Sequence, residues 1–221
     1  MHPPVPDLAR RLVSEAVATA LLLATVVGSG IMAERLSGGN SGLALLANAL
    51  ATGAMLPVLI LVFGPVSGAH MNPAVTAMLA WRREIPVQVA LCYAAAQSAG
   101  ALGGVLLAHA MFELPLWQDG MHQRGGTGAW IAEAVAVSGL VLTILATRRE
   151  ALPWAVGLYV TAAYWFTAST SFANPAVTFA RGLTESFAGI AMADVPAFML
   201  VQFAAAIFAA LGWAWLSGEK R

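Results

Sequence analysis

Six apolar runs, near residues 10–32, 43–63, 86–108, 129–147, 151–168 and 195–216, leave this chain few folds to choose from. Each is close to the ~20 residues that a helix needs to cross ~30 Å of hydrocarbon. Lipid offers no water to satisfy a backbone N–H or C=O. Such runs therefore fold as helices that close their own hydrogen bonds. Composition agrees: 59% of the residues are hydrophobic and 10% charged, where soluble domains sit nearer a half and a quarter. An all-α membrane protein is expected, a single transmembrane domain over 1–221 with the lipid bilayer as its surroundings.

The first run follows Arg10 and Arg11, as an export signal would. It reads as a span instead, because it continues to about Met32, carries Glu15 and leads into no soluble domain. The fourth and fifth runs are separated only by the segment 147–153. Arg148 and Arg149 would be costly against lipid, so a tight turn is expected there. Six crossings place Arg10, Arg11, Arg82, Arg83, Arg148, Arg149, Lys220 and Arg221 on one side and Arg35, Arg124 and Arg181 on the other. That is 8 of the 11 basic residues against 3. Positive charge marks the cytoplasmic side. The expected setting is the inner (plasma) membrane, multi-pass, with both termini cytoplasmic.

Two segments, roughly 64–81 and 169–188, fit no span. Each opens on Gly, Pro or Ser and then turns apolar for about two helical turns. They read as re-entrant loops from which a half-helix returns, the first entering from the cytoplasmic side and the second from the opposite one. Each contains Asn-Pro-Ala-Val-Thr, starting at 72 and at 174, 102 residues apart. Other pairs repeat with it. Ser14–Thr19 (SEAVAT) matches Ala132–Val137 (AEAVAV), and Gly53 precedes the first motif by 19 residues as Gly157 precedes the second by 17. Gln97 and Gln202 lie inside the third and sixth runs. Three spans per half invert the second half in the membrane. The chain therefore reads as an inverted repeat, approximately 10–108 and 129–216, whose broken helices meet at a midplane solute path.

Asn is a good helix N-cap, and Pro is favoured at the first helical position. Asn72, Pro73 and Ala74, and Asn174, Pro175 and Ala176, would thus start two half-helices. Their positive ends would meet near the membrane centre and oppose cations. The amide N–H groups of Asn72 and Asn174 could hold the oxygen of a neutral solute. Loop carbonyls ahead of each Asn are tolerated at that depth only inside protein or along an aqueous path.

Two such motifs in an inverted six-span frame resemble the aquaporin (major intrinsic protein) family across nearly the whole chain, with Ser67–Thr76 (SGAHMNPAVT) the most specific stretch. The resemblance implies six spans, two re-entrant half-helices, a pore in each subunit, a homotetramer, and passive flux of water or small uncharged solutes. Pore-side carbonyls at Gly68, Ala69, His70, Phe172 and Ala173 fit the family. Glu15 and Glu133, at equivalent places in the halves, would brace the re-entrant loops. Gly100 and Gly104 most readily serve close helix packing.

The chain departs from the family at one place. Most members carry Arg directly after the second motif, where this sequence has Val177. Arg181 follows four residues later, about 6 Å along a helix. It is expected to neutralise the helix end or to pair with Glu185. Carried over by spacing, the filter positions are Thr52, Tyr164, Ser171 and Val177, a constriction with no fixed cation. Losing a guanidinium frees volume and removes a donor fork. This variant mouth resembles bacterial aquaporins associated with arsenic resistance, which implies passage of metalloids such as arsenite alongside water and glycerol-like polyols. A water-selective pore is the alternative, and an ion-conducting channel a further one.

A formal net charge of +0 suggests no nucleic-acid partner. The single cysteine, Cys92, excludes an internal disulfide and is expected to pack as a small hydrophobe. No metal site and no cofactor is expected. No nucleophile–base set stands out, so the chain is not expected to be an enzyme.

Overall fold

The structure is a computed structural model and describes residues 6–219. Eight α-helices run in chain order: α1 Leu8–Leu36, α2 Ser41–Ser67, α3 Pro73–Trp81, α4 Val87–Met111, α5 Thr127–Ala146, α6 Leu152–Phe166, α7 Pro175–Arg181 and α8 Val195–Leu216. Among the described residues no β-strand occurs. Lys220 and Arg221, used above to orient the chain, lie outside the described residues.

The helix boundaries follow local chemistry. Asp7 caps α1 by accepting the Arg10 N–H at 2.8 Å, and Asn40 caps α2 by accepting that of Leu43 at 3.1 Å. Gly68 ends α2 at φ 93°, a left-handed conformation open to glycine at little cost. Pro153 lies in the first turn of α6. Arg148 and Arg149 fall in the turn between α5 and α6, as the cost of burying them in lipid requires.

Helices α1, α2, α4 and α5, with α8 and the 3₁₀ turn that precedes it, are long and apolar enough to cross a membrane. The fifth apolar run differs. Its helix, α6, has 15 residues, about 22 Å at 1.5 Å per residue. It stops at Phe166 because the chain must leave helical geometry to form the second re-entrant loop.

The packing is paired. α1 packs on α4 and α2 as α5 packs on α8 and α6, α2 lies against α6, and the short α3 and α7 each touch α4 and α8. Close approach explains two glycine pairs. A Cβ on Gly100 or Gly104 would lie 2.2 Å from the carbonyl oxygen of Ala16 or Ala20, so α4 meets α1 backbone to backbone. At the α2–α6 crossing, a Cβ on Gly157 would lie 2.5 Å from the Gly53 oxygen.

Cys92 is exposed, not packed. The buried stripe of α4 contains Tyr93, Gln97, Gly100, Ala101 and Gly104, and Cys92 falls beside it. Outward positions elsewhere carry large apolar residues, among them Leu50, Val62, Leu158, Phe208 and Trp215, as a lipid-facing surface should.

Candidate functional site: a central cavity between two half-helices

α3 and α7 begin in the same way. Asn72 has φ −154° and accepts from the N–H groups of Ala74 and Val75; Asn174 has φ −157° and accepts from those of Ala176 and Val177. In both, Pro occupies the first helical turn. Each Asn also reaches into the other half: Nδ2 of Asn72 donates to the Ala173 carbonyl at 2.8 Å, and Nδ2 of Asn174 to that of Met71 at 2.7 Å. A side-chain amide has two N–H groups. One is used in each cross-link, and both asparagines line the central cavity.

The loops leading to these starts are strained. Ala69 and Met71 in the first, and Thr170, Ser171 and Ala173 in the second, have φ between 48° and 60°. That region costs a non-glycine residue about 1–2 kcal/mol. Two fully buried carboxylates hold the loops there. Oε1 of Glu15 accepts from Ser67 Oγ and the His70 N–H, and Oε2 from the Met71 N–H and Gln97 Nε2, all at 2.7–2.9 Å. Oε1 of Glu133 accepts from the Phe172 N–H at 2.9 Å, and Oε2 from the Ala173 N–H at 2.9 Å and Gln202 Nε2 at 2.5 Å. The glutamines complete each set by donating to Thr76 and Thr178, whose hydroxyls bond back to the carbonyls of Asn72 and Asn174.

A cavity of ≈ 390 Å³ runs past these groups. Its lining is of mixed character. Leu22, Val26, Leu56, Ile60, Leu140, Ile144, Val156 and Val160, from α1, α2, α5 and α6, make its aliphatic part. The lining also includes the loop residues Gly68, Ala69, His70, Met71, Phe172 and Ala173 and the two asparagines. Met71 was not anticipated, although the 102-residue offset that separates the motifs pairs it with Ala173. Glu84 and Arg149 line the cavity as well.

Thr52, Tyr164, Ser171 and Val177 all line the cavity, and the Tyr164 hydroxyl donates to Thr52 Oγ1 at 3.3 Å. Arg181 lines it too. The expected pairing with Glu185 is corrected. Glu185 accepts the Met121 N–H at 2.7 Å, while Arg181, 2% exposed, donates from Nε to the Ala188 carbonyl. Its Cζ lies 3.5 Å from the centroid of the Phe172 ring. Distance along the helix axis misled here, because helical side chains lean toward the N-terminus of their own helix.

Spanning helices around a lined cavity, with two half-helices meeting inside it, define a transmembrane channel. The family model described as Major intrinsic protein matches residues 5–152. The chain is 52% identical over 218 residues to aquaglyceroporin AqpS of Rhizobium meliloti (strain 1021), covering 97% of this chain and 93% of that protein. It is 30% identical over 217 residues to aquaporin NIP2-3 of Zea mays, covering 96% of this chain and 69% of that one. The X-ray structure of the aquaglyceroporin from Plasmodium falciparum matches with a TM-score of 0.71 over 94% of this chain and 96% of that chain. At 22% identity that likeness speaks for the fold alone. The chain belongs to the major intrinsic protein family of membrane channels.

Proposed function

We propose that this chain forms a passive pore for small uncharged, hydroxyl-bearing solutes: water, glycerol-like polyols and metalloid hydroxides such as arsenite. The observation that carries the reading is the mixed lining of the central cavity, aliphatic residues of the long helices together with loop residues and the two asparagines. A polyol can keep its hydroxyls against the polar groups while its carbons slide along the aliphatic ones. Neither set binds tightly, which conduction requires. The aquaglyceroporin name of the 52% identical relative points the same way.

Asn72 and Asn174 hold the solute at the centre, the carbonyls of Gly68, Ala69, His70, Phe172 and Ala173 relay it, and Glu15 and Glu133 brace the loops. Thr52, Tyr164, Ser171 and Val177 form the filter, made wide by Val177 where most of the family carries Arg. The pore is one domain built from the repeats 10–108 and 129–216. It works as a homotetramer in the inner membrane with both termini cytoplasmic. A narrower, water-selective filter is the second reading, favoured by the Tyr164–Thr52 hydrogen bond.

The test compares swelling of proteoliposomes in water, glycerol and arsenite for the natural chain and Val177→Arg. The substitution should reduce glycerol and arsenite flux more than water flux. Equal reduction of all three would remove Val177 from solute selection, and a natural chain that passes water alone would establish the second reading.

A further inference from the structure

Three buried side-chain atoms among the described residues have no hydrogen-bond partner: Gln97 Oε1, Ser171 Oγ and Arg181 Nη1. Two of the three, those of Ser171 and Arg181, belong to residues that line the central cavity. A buried donor without a partner is costly, and a guanidinium more so. Each such group calls for an explanation, and a partner that visits is one.

The guanidinium of Arg181 is held in place. Nε bonds the Ala188 carbonyl and Cζ lies over the Phe172 ring. A second cation flanks it: Arg124 donates to the carbonyls of Gly189 and Phe187 at 2.7 and 3.0 Å, and its Cζ lies 5.3 Å from the same ring. Three consecutive carbonyls, 187–189, thus anchor two arginines. Among the described residues neither takes part in an ion pair. No carboxylate pairs directly with either guanidinium, the nearest contact being Asp194, which accepts the Arg124 backbone N–H at 2.7 Å, and Nη1 of the cavity-lining Arg181 is left without a partner.

We propose that Arg181 determines what this pore admits, reaching back one turn to supply the fixed charge and free donor of the filter where Val177 supplies only volume. It repels cations, and with Ser171 it offers hydrogen bonds to an oxygen of a neutral polyol or oxyacid. The inference rests on the passive-pore reading above. It differs from a cation-free wide mouth in one consequence: the filter stays closed to cations while remaining wide enough for polyols.

The full-length chain, Arg181→Met and Arg181→Gln are reconstituted in liposomes after each is checked for monodisperse elution and helical circular dichroism. Potassium flux under an imposed potential is read beside glycerol swelling. Both variants should raise potassium flux at least about tenfold, as expected when a fixed like charge is removed from a low-dielectric path, and should shift the ratio of glycerol to water flux. Arg181→Lys should keep potassium out. Folded Met or Gln variants as tight to potassium as the natural chain would overturn the proposal. Loss of fold in both would overturn it in favour of a purely structural arginine. Failure of the natural chain to pass glycerol would count against the polyol reading and leave the potassium comparison intact.

Discussion

Replacing each bracing glutamate by glutamine should expose how differently the two carboxylates are loaded. An amide offers one acceptor oxygen and one NH₂ group. At Glu133 one oxygen takes a single N–H, from Phe172, and the other takes two, from Ala173 and Gln202. The amide can put its oxygen where two donors converge and leave only the Phe172 N–H unmet. At Glu15 each oxygen takes two donors. Ser67 can turn its hydroxyl round only by reversing its bond with Ser14 Oγ, because its oxygen already accepts from that hydroxyl and from the Ala69 N–H. Either orientation of the amide there abandons one backbone N–H, of His70 or of Met71, and forces a second partner, Ser67 or Gln97, to turn round. At about 1.5–3 kcal/mol for each bond to a charged group, Glu133→Gln should cost about 1.5–3 kcal/mol and Glu15→Gln more, up to about 3–6 kcal/mol. Thermal unfolding in a fixed detergent, followed by circular dichroism, measures the order. Glycerol flux should fall in the same order, as the strained loops relax away from the cavity. Equal losses, or a larger loss at Glu133, would refute the bond-by-bond reasoning. Full stability with lost flux would show that the carboxylates take part in conduction and not in bracing.

Asn174→Ala removes the acceptor for the Ala176 and Val177 N–H groups and the cross-link to Met71. It should cost about 1 kcal/mol for the cap alone and lower glycerol flux several-fold in swelling assays. Unchanged flux would detach Asn174 from the path. Gly100→Val places a Cβ 2.2 Å from the Ala16 carbonyl oxygen, whereas Gly103→Val on the same helix meets nothing within 4 Å. The first should lower stability by about 3 kcal/mol or more and the second should be tolerated. Detergent melts that fail to separate the two would argue against backbone contact between α1 and α4.

Most of the architecture was legible in the residues because membranes narrow the choices. Run length and the cost of an unsatisfied backbone in lipid dictated helices, and Arg148-Arg149 marked a turn. Asn-Pro-Ala named the two half-helix starts, since capping is chemistry local to three residues. The loads on Glu15 and Glu133 were foreseeable in kind, because equivalent carboxylates in two halves must bond what both halves contain. Their partners Gln97 and Gln202 stood in plain view, but nothing local says that two residues 82 or 69 apart will touch. α6 fell short of its run because the chain had to leave the helix to build the second loop, which hydropathy does not register.

Arg181 draws the clearest line between the two levels. By itself the sequence determined that Val177 follows the second motif and that a cation comes four residues later. Where that cation acts was decided only in three dimensions. The backward lean of a helical side chain, the Phe172 ring beneath it and the Ala188 carbonyl beside it turn the guanidinium toward the cavity and away from Glu185. Spacing along a chain fixes where a Cα lies on its helix. The direction and reach of a long side chain are settled by the neighbours that the fold brings to it.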